Sequence, residues 1–114
     1  MKNICGESFE VVLGENNTVQ FKGALRLSGT DDYGPILGML KSALEDEGKP
    51  VVVDVRELDF LNSSGITMLS RFVIEARNRS DVNLYFFASE AVPWQARSLR
   101  NLQRLMPALQ IHLT

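Results

Sequence analysis

The segment from Val51 to Leu69, VVVDVRELDFLNSSGITML, constrains the fold more than any other part of the chain. It begins with Val51, Val52, Val53 and Val55, a β-branched run that is typical of a strand buried on both faces. From Gly65 onward, apolar residues recur at the spacing of an amphipathic helix, namely Ile66, Leu69, Phe72, Val73 and Ala76. The segment therefore predicts a strand, a loop over residues 56–62 and a helix.

A serine pair, Ser63 and Ser64, lies where this loop meets the helix. The first backbone N–H groups of a helix have no intrahelical partner and the macrodipole is positive there, so the position favours an anion such as phosphate. Asn62, Ser63 and Ser64 are also good helix caps, and a purely structural cap is the other interpretation of the same residues.

The residues before this segment predict two strands and a helix. Apolar and polar residues alternate over 9–13 and again over 19–27, and the turn-rich residues 14–17 between them favour a β-hairpin. Pro35 suits the first turn of a helix that Gly48 and Pro50 would end.

The residues after it continue the alternation of strand and helix. Residues 82–88 predict a buried strand, Pro93 opens a third helix, and residues 109–113 alternate as a last short strand. Strand–helix–strand units require right-handed crossovers and a largely parallel sheet. The sequence thus predicts one α/β domain over residues 1–114, with a mixed, mostly parallel sheet of about five strands, packed helices and an N-terminal β-hairpin.

The strand, loop, serine pair and glycine resemble the signature of the STAS domain, the fold of bacterial anti-sigma-factor antagonists. Asp54, Ser63, Ser64, Gly65 and Ile66 fall on its pattern of an apolar strand with Asp, a short loop, Asp-Ser-Ser-Gly and an apolar helix. In that family the serine before the glycine is phosphorylated, which implies phosphorylation at Ser64, with Ser63 as second choice. Gly65 would leave room for a kinase to approach Ser64, and Asp54 would support the site from behind.

Two positions depart from the family pattern. The acidic residue two before the phosphorylated serine is Asn62 here, and the family's Gly-Glu-Leu-Asp reads Gly23-Ala24-Leu25-Arg26. Both changes remove a carboxylate. Because the rest of the pattern is intact, we interpret Asn62 and Arg26 as a change of partner specificity.

The resemblance implies a regulatory module that binds a partner through Asn62, Ser63, Ser64, Gly65, Ile66 and Arg26, and whose binding ends on phosphorylation. It implies a serine kinase of the histidine-kinase-like ATPase type as the partner and a PP2C-like phosphatase that resets the switch. The alternative is a constitutive scaffold or ligand-binding STAS-like module that is never phosphorylated.

Composition narrows the classes of partner. A chain of 114 residues with 45% hydrophobic content can build one core. The net charge of −2, without a dense basic run or a long apolar run, predicts neither nucleic-acid nor membrane binding. The N-terminal residues lack the apolar stretch of an export signal, and the lone Cys5 cannot form an intrachain disulfide, so we expect a cytoplasmic protein.

The residues needed for catalysis are missing. A serine nucleophile needs a base beside it, yet the only histidine, His112, alternates with Ile111 and Leu113 on the polar face of a terminal strand. One cysteine and one histidine do not make a usual zinc site. We therefore expect no enzymatic activity, no metal and no cofactor.

Arginines recur at helical spacing in the third predicted helix, at Arg97, Arg100 and Arg104. Together with Arg71 they could form a basic face. Such a face is either a solvated helix surface or a surface that binds a partner.

Overall fold

The computed structural model describes residues 2–46, 48–79 and 82–114, in which strands and helices follow the predicted order. The strands are β1 (Lys2–Cys5), β2 (Phe9–Leu13), β3 (Thr18–Leu25), β4 (Val51–Leu61), β5 (Leu84–Ala88) and β6 (Gln110–Leu113), and the helices are α1 (Gly29–Leu44), α2 (Ser63–Arg77) and α3 (Pro93–Leu105). One turn of 3₁₀ helix, Glu15–Asn17, joins β2 to β3.

All strands form one sheet in chain order, β1 to β6. The first three are antiparallel neighbours, and β3 to β6 are parallel. A helix connects each parallel pair, and right-handed crossovers that advance in one direction place the three helices on the same face. In agreement, α1 packs on α2 and α2 on α3. The predicted fold class is confirmed, and the sheet gains β1, which the sequence did not predict.

The core lies between the sheet and the helices. Side chains alternate across each strand, so Val53 and Val55 of β4 face the helices, where they are fully buried. Asp54, between them, points to the opposite face of the sheet, as do its neighbours Gln20 on β3 and Phe87 on β5.

The predicted loop over residues 56–62 is wrong, because β4 continues to Leu61. The register between β3 and β4 shifts between Gln20 and Lys22 and again between Gly23 and Ala24. Such irregularities interrupt the in–out alternation of side chains, and this hides the strand from a periodicity argument.

The predicted start of α1 is also wrong. The helix begins at Gly29, so Pro35 lies in its interior. A proline clashes with the Cβ of the residue before it in a helix, but that residue is Gly34, which has none. The predicted stop is confirmed, since the helix ends at Leu44 and Gly48 has a positive φ of 80°.

Each helix turns one apolar stripe to the sheet and a polar side to solvent. For α2 the buried stripe includes Met68, Leu69, Phe72 and Val73. Among the described residues, no helix is both long enough and apolar enough to cross a membrane.

Candidate functional site at the amino terminus of α2

Asn62 caps α2 and joins three segments of the chain. Its Oδ1 accepts a hydrogen bond from the N–H of Gly65 at 3.0 Å and from the hydroxyl of Tyr33 at 2.6 Å, while its Nδ2 donates to the carbonyl of Leu27 at 2.8 Å. The first turn of α2 is thereby fixed to α1 and to the loop between β3 and α1. Of the three residues predicted as possible caps, Asn62 is the one that caps.

These bonds give the amide at position 62 an internal role. A carboxylate in its place would keep an acceptor for Gly65 and Tyr33, but it has no hydrogen to donate to the Leu27 carbonyl. The departure of Asn62 from the family pattern therefore has a structural explanation within the chain. Its effect on partner specificity stays a prediction.

Tyr33 supports this network from the core, where it is 1% exposed. Burial raises the pKa of Tyr33 above its ordinary value, and a hydrogen bond with the Leu27 backbone opposes that rise only in part. The phenol therefore stays protonated at neutral pH and can donate to Asn62.

Gly65 is buried beneath the cap. A Cβ on Gly65 would lie 2.9 Å from the Tyr33 hydroxyl oxygen and would overlap the side chain of Leu61. The expectation that this glycine leaves room for a kinase is corrected, because the space that its missing side chain leaves is on the core side, where Leu61 and Tyr33 fill it.

Ser63 is exposed and Ser64 is half-buried, both in the first turn of α2. Within residues 2–46, 48–79 and 82–114, neither hydroxyl forms a hydrogen bond, although the Ser63 carbonyl accepts one from Thr67. The N–H groups of Ser63 and Ser64 precede that of Gly65, the first to be capped, so they have no intrahelical partner. The first turn of α2 also contains no acidic residue. The positive end of this helix is therefore open to an anion.

Arg26 lies at the same edge of the sheet, since it follows Leu25, whose carbonyl accepts the N–H of Asn62 at 3.2 Å. Its guanidinium stacks on the ring of Phe60, 4.6 Å from the ring centroid. Phe60 is 40% exposed. Sequence reasoning missed Phe60 because it assigned residues 56–62 to a loop, although an aromatic residue two positions before the cap was a signal of an exposed contact.

Ile66 is held close to the serines. Its N–H donates to the Asn62 carbonyl at 3.0 Å, and its half-buried side chain packs against the core. The structure thus brings together Asn62, Ser63, Ser64, Gly65 and Ile66, with Arg26 beside them.

Asp54 lies elsewhere, which corrects its predicted place behind the serines. It precedes the end of β4 by seven residues, or about 20 Å of strand, and faces the side of the sheet away from the helices. Burial alone would raise the pKa of Asp54, but hydrogen bonds from the Arg56 side chain and backbone, together with its charge, hold that pKa below its usual range. Asp54 therefore fixes Arg56, whose guanidinium lies 5.6 Å from the Phe87 ring centroid.

Solved structures with this fold include two of SiaC from Pseudomonas aeruginosa. SiaC in the crystal structure of the diguanylate cyclase SiaD in complex with its activator SiaC matches with a TM-score of 0.74 at 14% identity, over 100% of both chains. Apo-SiaC matches with a TM-score of 0.64 at 12% identity, over 100% of this chain and 99% of that one. No protein-family model and no curated protein sequence matches. The chain therefore shares the fold of SiaC over its whole length.

Proposed function

We propose that this chain is a regulatory binding module, without catalytic activity of its own, that docks on a protein partner through the first turn of α2. The observation that carries the proposal is the position of two serine hydroxyls, which bond to none of the described residues, on a helix start that Asn62 holds in place. Exposed Phe60, stacked under Arg26, adds a contact of the kind that is enriched at the centres of protein interfaces.

Phosphorylation of Ser64 is the proposed switch. It adds about −1.5 to −2 charges and three acceptor oxygens. The free N–H groups of Ser63 and Ser64 and the positive helix end suit that charge, so the fold should tolerate it. A partner packed on the same turn would have to remove water from this dianion, and that costs far more free energy than burying a neutral serine. Phosphate would thus leave the module folded and release its partner.

The family resemblance gives the class of partner. It supports a serine kinase of the histidine-kinase-like ATPase type, of the anti-sigma type, that both phosphorylates the module and is bound by it, with a PP2C-like phosphatase that restores Ser64. The shared fold adds a second class to test, because SiaC is the activator of a diguanylate cyclase. Both classes of candidate partner are enzymes.

A constitutive scaffold is the second candidate function. The hydrogen bonds of Asn62 favour it, since they account for an Asn-Ser-Ser-Gly sequence by helix capping alone. The two candidates differ in whether phosphate is ever incorporated.

The test is phosphate transfer from purified kinases of this type from the same host. We expect Ser64→Ala to abolish labelling and Ser63→Ala, the matched neighbour, only to weaken it. Full labelling of Ser64→Ala would assign the phosphate to another residue. If no kinase labels the wild-type chain and protein from the host carries no phosphate by intact mass, the scaffold function is supported instead.

A further inference from the structure

One side of α3 presents a line of arginines to solvent, which we call the arginine stripe: Arg97, Arg100 and Arg104. Their spacing of three and four residues aligns them on one side of the helix. The opposite side is occupied by the core, where Leu99 and Leu102 are buried.

Among the residues that the structure describes, no ion pair compensates the charge of the arginine stripe. Pro93–Leu105 contains no Asp or Glu. The ion pairs among the described residues involve Lys49, Arg56 and Arg79, and none involves the stripe. Like charges at these spacings repel one another in the free protein, and a bound carboxylate would relieve that repulsion.

The neighbouring surface of α2 continues the same charge. Arg77 is exposed and donates a hydrogen bond to the Leu105 carbonyl, at the end of α3, at 3.2 Å. Arg71 is also exposed, but it precedes Arg77 by six residues and so lies about 120° away around α2, outside this surface. The whole chain nevertheless has a net charge of −2. Positive charge is therefore concentrated along α3 and at its contact with Arg77, although the molecule as a whole is acidic.

We propose that the arginine stripe binds an acidic segment of a protein partner. From Arg97 to Arg104 the helix rises about 10 Å. A partner helix with glutamates at positions i, i+4 and i+7 presents carboxylates over the same length. Arginine suits this contact because its planar guanidinium binds a carboxylate through two parallel hydrogen bonds.

The net charge of the molecule and the burial of the apolar side of α3 favour an acidic protein segment over a membrane surface or a nucleic acid as the ligand of the stripe. A membrane-surface helix must insert its apolar side, but that side of α3 is buried in the core. Nucleic acid presents charge along a long backbone, which the net negative charge of the molecule opposes. Trp94, the aromatic residue of α3, is half-buried, and its indole N–H donates a hydrogen bond to the Leu58 carbonyl at 2.9 Å. This N–H group is therefore not free to bind a ligand. A short acidic segment of a protein can bind through the three arginines of the stripe alone.

The contact is independent of the proposed phosphorylation switch, because the stripe lies on α3 and the serines on α2. The Ser64→Asp protein should therefore bind an acidic peptide as the wild type does. This separates failure of the present proposal from failure of the proposed function.

The test uses a fluorescein-labelled helical peptide with glutamates at i, i+4 and i+7, titrated with the full chain by fluorescence anisotropy at low and at moderate salt. Arg97→Gln/Arg100→Gln/Arg104→Gln should weaken binding at least about tenfold, a difference typical of losing several charge-assisted contacts. The control, Lys22→Gln/Lys41→Gln/Lys49→Gln, loses the same charge from other exposed positions and should bind within about twofold of the wild type. Thermal unfolding of each variant checks folding, and the single change Arg100→Glu replaces the triple variant if that one unfolds.

Three results would overturn the proposal. The first is an equal loss of binding in the arginine and lysine variants, which would mean general attraction between opposite charges. The second is no binding of the wild type at low salt. The third is tighter, arginine-dependent binding to phosphatidylserine vesicles or to a single-stranded oligonucleotide than to the peptide, which would assign the stripe to a lipid or a nucleic acid.

Discussion

Replacing Asn62 by Asp is the sharpest test of the capping network. It exchanges only the amide NH₂ group for a carboxylate oxygen and restores the acidic residue of the STAS pattern. The new carboxylate can still accept from Gly65 and Tyr33. It would, however, place a charged oxygen where Nδ2 now donates to the Leu27 carbonyl at 2.8 Å. The change thus turns a hydrogen bond into a contact between two acceptors.

The expected cost follows from these contacts. Losing a hydrogen bond and leaving a partly buried carbonyl without a partner costs about 1–3 kcal/mol. A negative charge at the helix start stabilises the folded state by about 0.3–1 kcal/mol and so offsets part of this loss. We therefore expect Asn62→Asp to lower the free energy of unfolding by about 1–2 kcal/mol, or the melting temperature by roughly 4–8 °C for a domain of this size.

Urea and thermal unfolding, followed by circular dichroism, measure this difference. The matched control is Ser63→Asp, which adds the same charge to the same turn at an exposed position without touching the network. It should be as stable as the wild type or slightly more stable. Should Asn62→Asp prove equal to the wild type while Ser63→Asp is unchanged, the bond to Leu27 contributes nothing and the explanation of the amide fails.

Three further changes probe the surroundings of the site. Tyr33→Phe removes the donor to Asn62 and should lower the free energy of unfolding by about 1 kcal/mol in urea titrations. An unchanged free energy would mean that this hydrogen bond does not contribute to stability. Gly65→Ala forces a methyl group against Leu61 and should cost about 1–3 kcal/mol by the same measurement, and an unchanged midpoint would contradict the packing argument. The depressed pKa of Asp54 contributes stability that is present above the unfolded-state pKa and is lost as pH falls through the folded-state value. Unfolding titrations between neutral and acid pH should show this loss in the wild type and less of it in Arg56→Gln, and identical pH profiles would remove Arg56 as its cause.

Sequence periodicity predicted the elements whose apolar residues repeat regularly, and failed where tertiary contacts set the structure. The valines of β4 and the apolar stripe of α2 carry their own pattern, so both were predicted. The second half of β4 was missed because the register shifts interrupt its alternation, and β1 because its residues are mostly exposed and give no apolar pattern.

The candidate site divides in the same way. The serines at the start of α2 follow from local sequence, since strand, turn and helix are adjacent in the chain. Tyr33 and Leu27 are distant from Asn62 in sequence. Tyr33 reaches Asn62 through packing of α1 on α2, and Leu27 reaches it through the pairing of β3 with β4. The exposed stack of Arg26 on Phe60 likewise depends on the pairing of β3 with β4.

The most direct test of the central claim is to install phosphoserine at position 64 during translation and to measure both folding and binding. The account predicts a melting temperature equal to that of the unmodified protein or slightly higher, because the helix end accepts the charge. It also predicts weaker binding to the kinase or cyclase that binds the unmodified chain. In titration calorimetry, the affinity of the phosphorylated form should be lower by at least about a hundredfold, on the order of 3 kcal/mol. Equal affinity of the two forms for that partner would contradict the claim that the first turn of α2 is a phosphorylation-controlled docking surface.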